Sequence, residues 1–146
     1  MLSESARVSS SAEARFRIQA PPPTARAVTV IPLDPASERL TTALAAHEWS
    51  GVAFVPASAA ARFAGDPGAT DLVMMVVTAG TDASAVVAIG ETCSRRRIPT
   101  ATCVMRDAST SDEDLSATLG VIRPWSLMVV VVGDGSYLED ILRSLR

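Results

Sequence analysis

Uninterrupted apolar runs alternate with amphipathic segments along most of this chain. Runs of strand length occupy residues 27–31, 51–55, 72–77, 100–105 and 127–132, and the run at 72–77 contains no polar residue, as in a strand that is buried on both faces. The segments between them place apolar residues at helical spacing, for example Val86, Ile89 and Cys93. Parallel strands need a crossover, usually a helix. Five strands and five helices in strict alternation predict a three-layer α/β/α domain with a mostly parallel, doubly wound sheet, Rossmann-like or flavodoxin-like in strand order.

Capping residues mark where several of the predicted helices begin. Asp34 and Pro35 have the types that favour the N-cap and first positions of a helix. Ser111 precedes three acidic residues, which complement a helix N-terminus. Ser136 and Glu139 have the spacing of a capping box. These capping residues predict the helix starts more specifically than helix propensity does.

The first 25 residues differ in composition from the rest and are rich in Ser, Ala and Arg. They end in Pro21-Pro22-Pro23, which favours a stiff, extended spacer. The alternating stretch at residues 15–18 allows two interpretations: part of a disordered leader, or an edge strand that docks on a partner subunit. We therefore expect a tail over residues 1–25 and a Rossmann-like α/β domain over residues 26–146.

Composition excludes several classes of function. The 146 residues are 48% hydrophobic and 20% charged, enough to build one buried core. The net charge is −3 and the only basic run is residues 95–97, so we expect no nucleic-acid partner. All 13 basic residues are arginine. Without lysine the chain has neither the phosphate-binding P-loop motif nor a Schiff-base residue.

The cysteines and the single histidine predict structural roles. Cys93 and Cys103 have no metal or redox spacing, so we expect two small buried side chains in a reducing, cytoplasmic compartment. His47 is predicted to lie near a helix end on the apolar face that carries Leu40 and Leu44. The longest apolar run, residues 127–132, is too short to span a bilayer, and we expect no membrane partner.

In doubly wound sheets, ligands bind beyond the carboxyl ends of the strands, at the switch point of the strand order. The polar and glycine residues that follow the predicted strands are therefore the candidates for ligand binding. They are Asp34, Thr78, Gly80, Thr81, Ser84, Asp107, Gly133, Gly135 and Ser136. We assign no catalytic residue, no metal-binding set and no cofactor from the sequence.

The turn at Gly80 is the strongest of these candidates for an anion. Glycine lets the backbone approach a ligand, and a helix N-terminus with nearby hydroxyls favours negative charge. The alternative interpretation makes Thr81 an ordinary N-cap and Gly80 a turn residue. Asp34, Asp82, Asp107 and Asp134 carry oxygen ligands of the kind that Mg²⁺ takes, but Asp is also the ordinary residue of caps and turns.

Residues 71–104 resemble the middle of the GTP-binding domain of the tubulin/FtsZ family. The resemblance rests on an apolar strand that begins after Asp71, on the turn Thr78-Ala79-Gly80, on the helix that follows and on the strand at 100–104. It implies a Rossmann-like topology and a turn that includes Thr81. Where the family has a glycine-rich phosphate loop, this chain has Thr-Asp-Ala-Ser at 81–84, so the resemblance does not extend to GTP hydrolysis.

Three hypotheses for function follow. The first is a non-catalytic regulatory or interaction subunit that forms homo-oligomers, or binds a partner subunit, through apolar helices such as residues 83–89, and that binds a small anion. The alternative is a nucleotide- or phosphate-binding enzyme that uses the turns at Gly80 and Gly133, which requires a pocket between them and a carboxylate of Asp34 or Asp107 that is not engaged in capping. The third is a regulatory domain from a larger ancestor whose tail docks on a partner.

Overall fold

Five parallel strands and five α-helices alternate along residues 26–145, the part of the chain that this computed structural model describes. The strands are β1 (Val28–Pro32), β2 (Val52–Phe54), β3 (Leu72–Thr78), β4 (Thr100–Met105) and β5 (Met128–Val132). The helices are α1 (Pro35–Ala45), α2 (Ala60–Gly65), α3 (Ala85–Arg96), α4 (Asp112–Ile122) and α5 (Gly135–Leu145). Short 3₁₀ turns at Ala57–Ala59 and Arg123–Trp125 precede α2 and β5.

The strand order is β2-β1-β3-β4-β5, and every pair is parallel. The predicted α/β architecture is therefore confirmed. The order, which the sequence left open, is that of flavodoxin-like sheets. It reverses direction between β1 and β3, so the switch point lies where these two neighbouring strands end. The tail predicted for residues 1–25 lies outside the described residues.

The central strand β3 has hydrophobic layers on both faces. Residues 72–77 are all buried, and alternate side chains face opposite layers, as the pleat requires. Val73, Met75 and Val77 belong to one cluster, with side chains of α2, α3 and α4, whereas Met74 and Val76 belong to a second, with α1 and α5. This arrangement explains why the run at β3 has no polar residue.

Helix α3 begins later than the capping residues predict. It starts at Ala85, and Ser84 precedes it without a side-chain capping bond. Thr81 is not the N-cap, because its Oγ1 donates to the carbonyl of Thr78 at 2.7 Å, and Asp82 accepts from the backbone N–H of Ser84 at 2.9 Å. Residues 81–84 therefore form a turn in place of a first helical turn.

The predicted capping box at Ser136 and Glu139 is also wrong. Helix α5 begins at Gly135, so Asp134 is the residue that precedes it and accepts from the N–H of Ser136 at 2.8 Å. The Glu139 carboxylate instead contacts His47 Nδ1 at 3.0 Å and Arg143 at 2.9 Å. His47 lies beyond the end of α1 and is exposed, which corrects its predicted place on the apolar face.

Both cysteines are buried and unpaired, as expected. Burial raises the pKa of Cys93 and raises the pKa of Cys103 to about 12, so both thiols stay protonated at neutral pH. None of the helices within residues 26–145 has the length and apolar character needed to cross a bilayer.

Close packing at one glycine fixes the position of the 3₁₀ turn against α3. Gly90 is buried in the middle of α3, and a Cβ atom placed on it would lie 2.7 Å from the Cβ of Trp125. The indole of Trp125 therefore lies directly over the helix backbone. Any side chain at position 90 must displace that ring or the turn that carries it.

We expect Gly90→Ala to lower the free energy of unfolding by about 1–3 kcal/mol, because the added methyl overpacks the contact with Trp125. The matched control is Gly120→Ala in α4, where a Cβ atom meets nothing within 4 Å. There the same change should raise stability by about 0.5–1 kcal/mol through helix propensity alone. Urea denaturation of both variants measures the difference, and a stabilising effect at both positions would contradict the packing.

Candidate functional site

The carboxylate of Asp34 lies at the switch point and is 4% exposed. As the N-cap of α1 it accepts from Ser37, at 2.9 Å from the backbone N–H and 2.8 Å from the hydroxyl. It also accepts from Thr78 at the end of β3, at 2.7 Å from the N–H and 2.9 Å from the hydroxyl. One side chain thus joins the ends of the two strands between which the sheet reverses.

Burial raises the pKa of Asp34, but the hydrogen bonds from Ser37 and Thr78 together outweigh it and hold the pKa below the ordinary value of 3.8. The side chain is therefore ionised at neutral pH. Two carboxylate oxygens have about four lone-pair positions, and Ser37 and Thr78 donate to all of them. Asp34 therefore has no remaining acceptor position for a metal ion, a substrate proton or a ligand.

The other three loop aspartates also form local turns. Asp82, Asp107 and Asp134 each accept from the backbone N–H of the residue two positions later, at 2.9, 2.8 and 2.8 Å. These bonds, and the serine hydroxyls beside them, lower the pKa of all three carboxyls. Across residues 26–145, no group of three His, Cys, Asp or Glu side chains lies close enough to hold a metal ion.

The turn at Gly80 is covered by α4. Gly80 has a φ of +86°, and its N–H donates to the hydroxyl of Thr118 at 2.8 Å. A Cβ atom on Gly80 would lie 3.1 Å from the carboxylate of Asp114. The amide that an anion would need already has an acceptor, and a negative charge lies next to it. Thr81 and Ser84 lie in the same turn.

A small cleft of 210 Å³ opens at the carboxyl ends of β3, β4 and β5. It brings together three of the predicted site residues, Thr78, Asp107 and Gly133, and adds Arg106. Asp34 lies behind Thr78, whereas Gly80, Thr81 and Ser84 lie in the turn under α4, and Gly135 and Ser136 begin α5. Arg106 was not among the predicted site residues, although its position directly after the fourth predicted strand was the available signal.

Arg106 gives this cleft its positive charge. Its guanidinium is 36% exposed and lies 3.8 Å from the carboxylate of Asp112, which is 99% exposed and only weakly held. Pockets that hold drug-sized ligands usually enclose about 300–1,000 Å³. At 210 Å³ this cleft lies below that range.

We expect Asp34→Asn to lower the free energy of unfolding at pH 7 by about 3 kcal/mol, because the amide nitrogen replaces an oxygen that accepts from one donor of Ser37 and one donor of Thr78. The folded-state pKa of Asp34 lies below 3.8, so its contribution is complete above that pH and is lost as the pH falls below it. The difference between wild type and variant should shrink in that acid range. Asp134→Asn, at an exposed N-cap, should change stability by less than about 0.5 kcal/mol. Equal effects of the two changes in denaturant titrations would contradict the role of Asp34.

Comparison with known proteins gives a match in structure and none in sequence. No protein-family model matches the chain, and no curated protein matches it. The apo form of translation elongation factor SelB from Methanococcus maripaludis aligns with 84% of this chain, with a TM-score of 0.50 and 9% sequence identity. This chain spans 37% of the length of that protein.

At such low identity the match supports the α/β fold and no further property. It agrees with the α/β architecture that the sequence predicts. The resemblance to the tubulin/FtsZ family is not shown by these comparisons.

Proposed function

We propose that this chain is a non-catalytic association module that pairs with a second copy of itself through the exposed edge of β5. The observation that carries this proposal is the apolar character of that edge. A cytoplasmic location belongs to the same proposal, and the two buried, unpaired thiols support a reducing compartment.

Strand β5 is an edge strand without the usual protection. Within residues 26–145 it pairs only with β4, and its sequence is Met-Val-Val-Val-Val. Met128 and Val131 are 39% and 41% exposed, and Leu127 before the strand is 82% exposed. Natural edge strands are usually blocked by a charge, a proline or a bulge. The edge of β5 has none of these and offers its backbone groups to another strand.

A two-fold axis at β5 would pair the strand with its own copy in the antiparallel sense. Arg123 precedes the strand and Asp134 follows it, and both are exposed. Antiparallel pairing brings the amino end of one strand to the carboxyl end of the other, so the basic end of each copy faces the acidic end of its partner. This charge complementarity favours a second copy over an unrelated partner.

The apolar helix that the sequence pointed to contributes little to such a surface. Ala83, Val86 and Ile89 are buried in the core of the monomer, and Val87 is the apolar residue of that stretch that remains 39% exposed. The strand edge therefore replaces residues 83–89 as the proposed interface. The tubulin/FtsZ resemblance adds only the turn after β3 to this proposal.

The enzymatic alternative has less support. It required a carboxylate of Asp34 or Asp107 that takes no part in capping, and both side chains accept hydrogen bonds from their own loops. It also required an open turn at Gly80, whose N–H donates to Thr118. The association module needs neither feature.

Binding of a small anion remains part of the proposal, at the cleft beside Arg106. The cleft has the position expected of a ligand site in a doubly wound sheet. Its arginine contacts only one weakly held carboxylate. A phosphate ion, or a phosphate group on a partner, has the charge and size to replace that contact.

We expect the full chain to be a dimer at micromolar concentration and Val131→Lys to raise the dimer dissociation constant at least about tenfold. The side chain at 131 is already exposed, so the monomer fold should persist. The matched control is Val87→Lys, at a residue of nearly equal exposure on α3, 39% against 41%. It should leave the dimer intact. Analytical ultracentrifugation separates the outcomes, and a monomeric wild type would contradict the proposal.

Inorganic phosphate should stabilise the wild type by roughly 2.7 kcal/mol at 100 times its dissociation constant. Arg106→Gln should remove this shift, because the cleft then has no cation. Arg62→Gln, on the exposed surface of α2, should leave it unchanged. Thermal unfolding in phosphate and in chloride of equal ionic strength makes the measurement. An equal shift in wild type and Arg106→Gln would contradict the site while leaving the dimer proposal untouched.

A further inference from the structure

A groove of 510 Å³ lies at the amino edge of the sheet, on the opposite side from the cleft. It runs between the end of α3 and the start of β5. Its apolar walls come from Ile98, Pro99, Pro124, Trp125 and Leu127, and Arg97 lies at its rim. The groove is large enough for a short stretch of extended polypeptide, and no described segment fills it.

Two of the residues that line this groove carry side-chain donors with no acceptor in the described part of the chain. Within residues 26–145, neither the indole Nε1–H of Trp125 nor the guanidinium of Arg97 makes a hydrogen bond. The other tryptophan differs, since Trp49 donates from Nε1 to the carbonyl of Leu44 at 2.6 Å. The Trp125 ring is packed closely against Gly90, and a ligand that brings carbonyl oxygens could accept from its N–H.

An apolar groove that contains one indole ring and these donors matches one kind of peptide. A polyproline II segment has no backbone N–H at its prolines and presents its carbonyl oxygens to the outside. Proline-rich segments dock in aromatic-lined grooves because their conformation is already formed and little entropy is lost on binding. The groove therefore has the chemistry of a polyproline II site.

We propose that the proline segment Pro21-Pro22-Pro23 of the same chain occupies this groove. Residues 18–25 read Ile-Gln-Ala-Pro-Pro-Pro-Thr-Ala and carry no charge, so the segment can lie beside Arg97 and the neighbouring arginines without repulsion. Its prolines supply the carbonyl acceptors that Trp125 and Arg97 lack.

The point where the described chain begins supports this occupant. Ala27 is held at the amino edge, where its N–H donates to the carboxylate of Asp71 at 2.9 Å. The groove lies beside β4 and β5, which are two and three strands away from β1. At a strand spacing of about 4.8 Å, its near end is about 10 Å from β1 and its far end about 14 Å.

The chain between the proline segment and Ala27 is long enough to reach the groove. The path from Pro23 to Ala27 covers four residues, or about 13 Å when extended, and the path from Pro21 covers about 20 Å. The prolines can thus lie over Pro99 and Trp125 while Ala27 stays in place. The groove and the outer edge of β5 meet at Leu127, but the groove is formed within one copy of the chain, so this proposal does not require the dimer.

The test follows the two indole N–H resonances in the ¹⁵N-labelled full chain, with Trp125→Phe used to assign them. Changing Pro21, Pro22 and Pro23 together to Ser should shift the Trp125 resonance and speed its exchange with solvent by about tenfold. The Trp49 resonance is the internal control, because its bond to Leu44 is present in every variant. Changing Ser9, Ser10 and Ser11 together to Ala alters the same tail upstream and should have no effect.

Either of two results would overturn the proposal. An unchanged Trp125 resonance in the proline variant would show that the segment is not in the groove. Loss of protection on dilution of the wild type would show that another copy supplies the segment. The expected result is that the Trp125 N–H of the wild type is protected from solvent exchange at every protein concentration. Only the proline variant should lose this protection.

Discussion

The carboxylate of Asp34 connects α1 to the end of β3 at the point where the strand order reverses. A doubly wound sheet sends its first two crossovers to opposite sides at this place, and the last backbone bond between β1 and β3 runs from Leu33 to Val76, before α1 begins. Asp34 makes that connection by accepting from Ser37 on one side and from Thr78 on the other. The same bonds compensate for its burial and keep it ionised. The residue best placed for chemistry in such a sheet is here used entirely for structure.

The division into strands and helices could be predicted because each apolar run is as long as the strand it forms. β4 has the bounds that its sequence predicts, and β3 extends by one residue to Thr78. The strand order could not be predicted, since the runs of β1, β3 and β5 are too similar in composition to show which of them is central. The predicted helix starts at Thr81 and Ser136 are wrong. Asp82 and Asp134 accept hydrogen bonds from backbone N–H groups that the predicted caps would use. Such competition between neighbouring caps is a local effect that residue preferences alone do not rank.

The position of the candidate site could be predicted from the sequence. Whether its polar groups are free to bind a ligand could not. Strand ends placed Thr78, Asp107 and Gly133 at one edge, and the structure brings them to one cleft. The sequence could not show that Thr118 takes the N–H of Gly80, because that contact joins residues 38 positions apart. It also could not show which aspartates are engaged, since an Asp in a turn and an Asp at a ligand site have the same sequence signature.

The contrast between β3 and β5 is the physical basis of the proposed self-association. Residues 72–77 of β3 and all residues of β5 are apolar, but within residues 26–145 β3 has a neighbouring strand on each side and β5 has one. An apolar edge of this kind pairs indiscriminately unless something specific covers it. One strand alone buries less than the roughly 800 Å² per partner of a stable interface. Val121 on α4 and Tyr137 on α5, the helices before and after β5 in the chain, are also exposed, at 43% and 59%. Pairing of β5 would therefore be reversible unless these helices join the contact, and its strength should depend on how closely they approach.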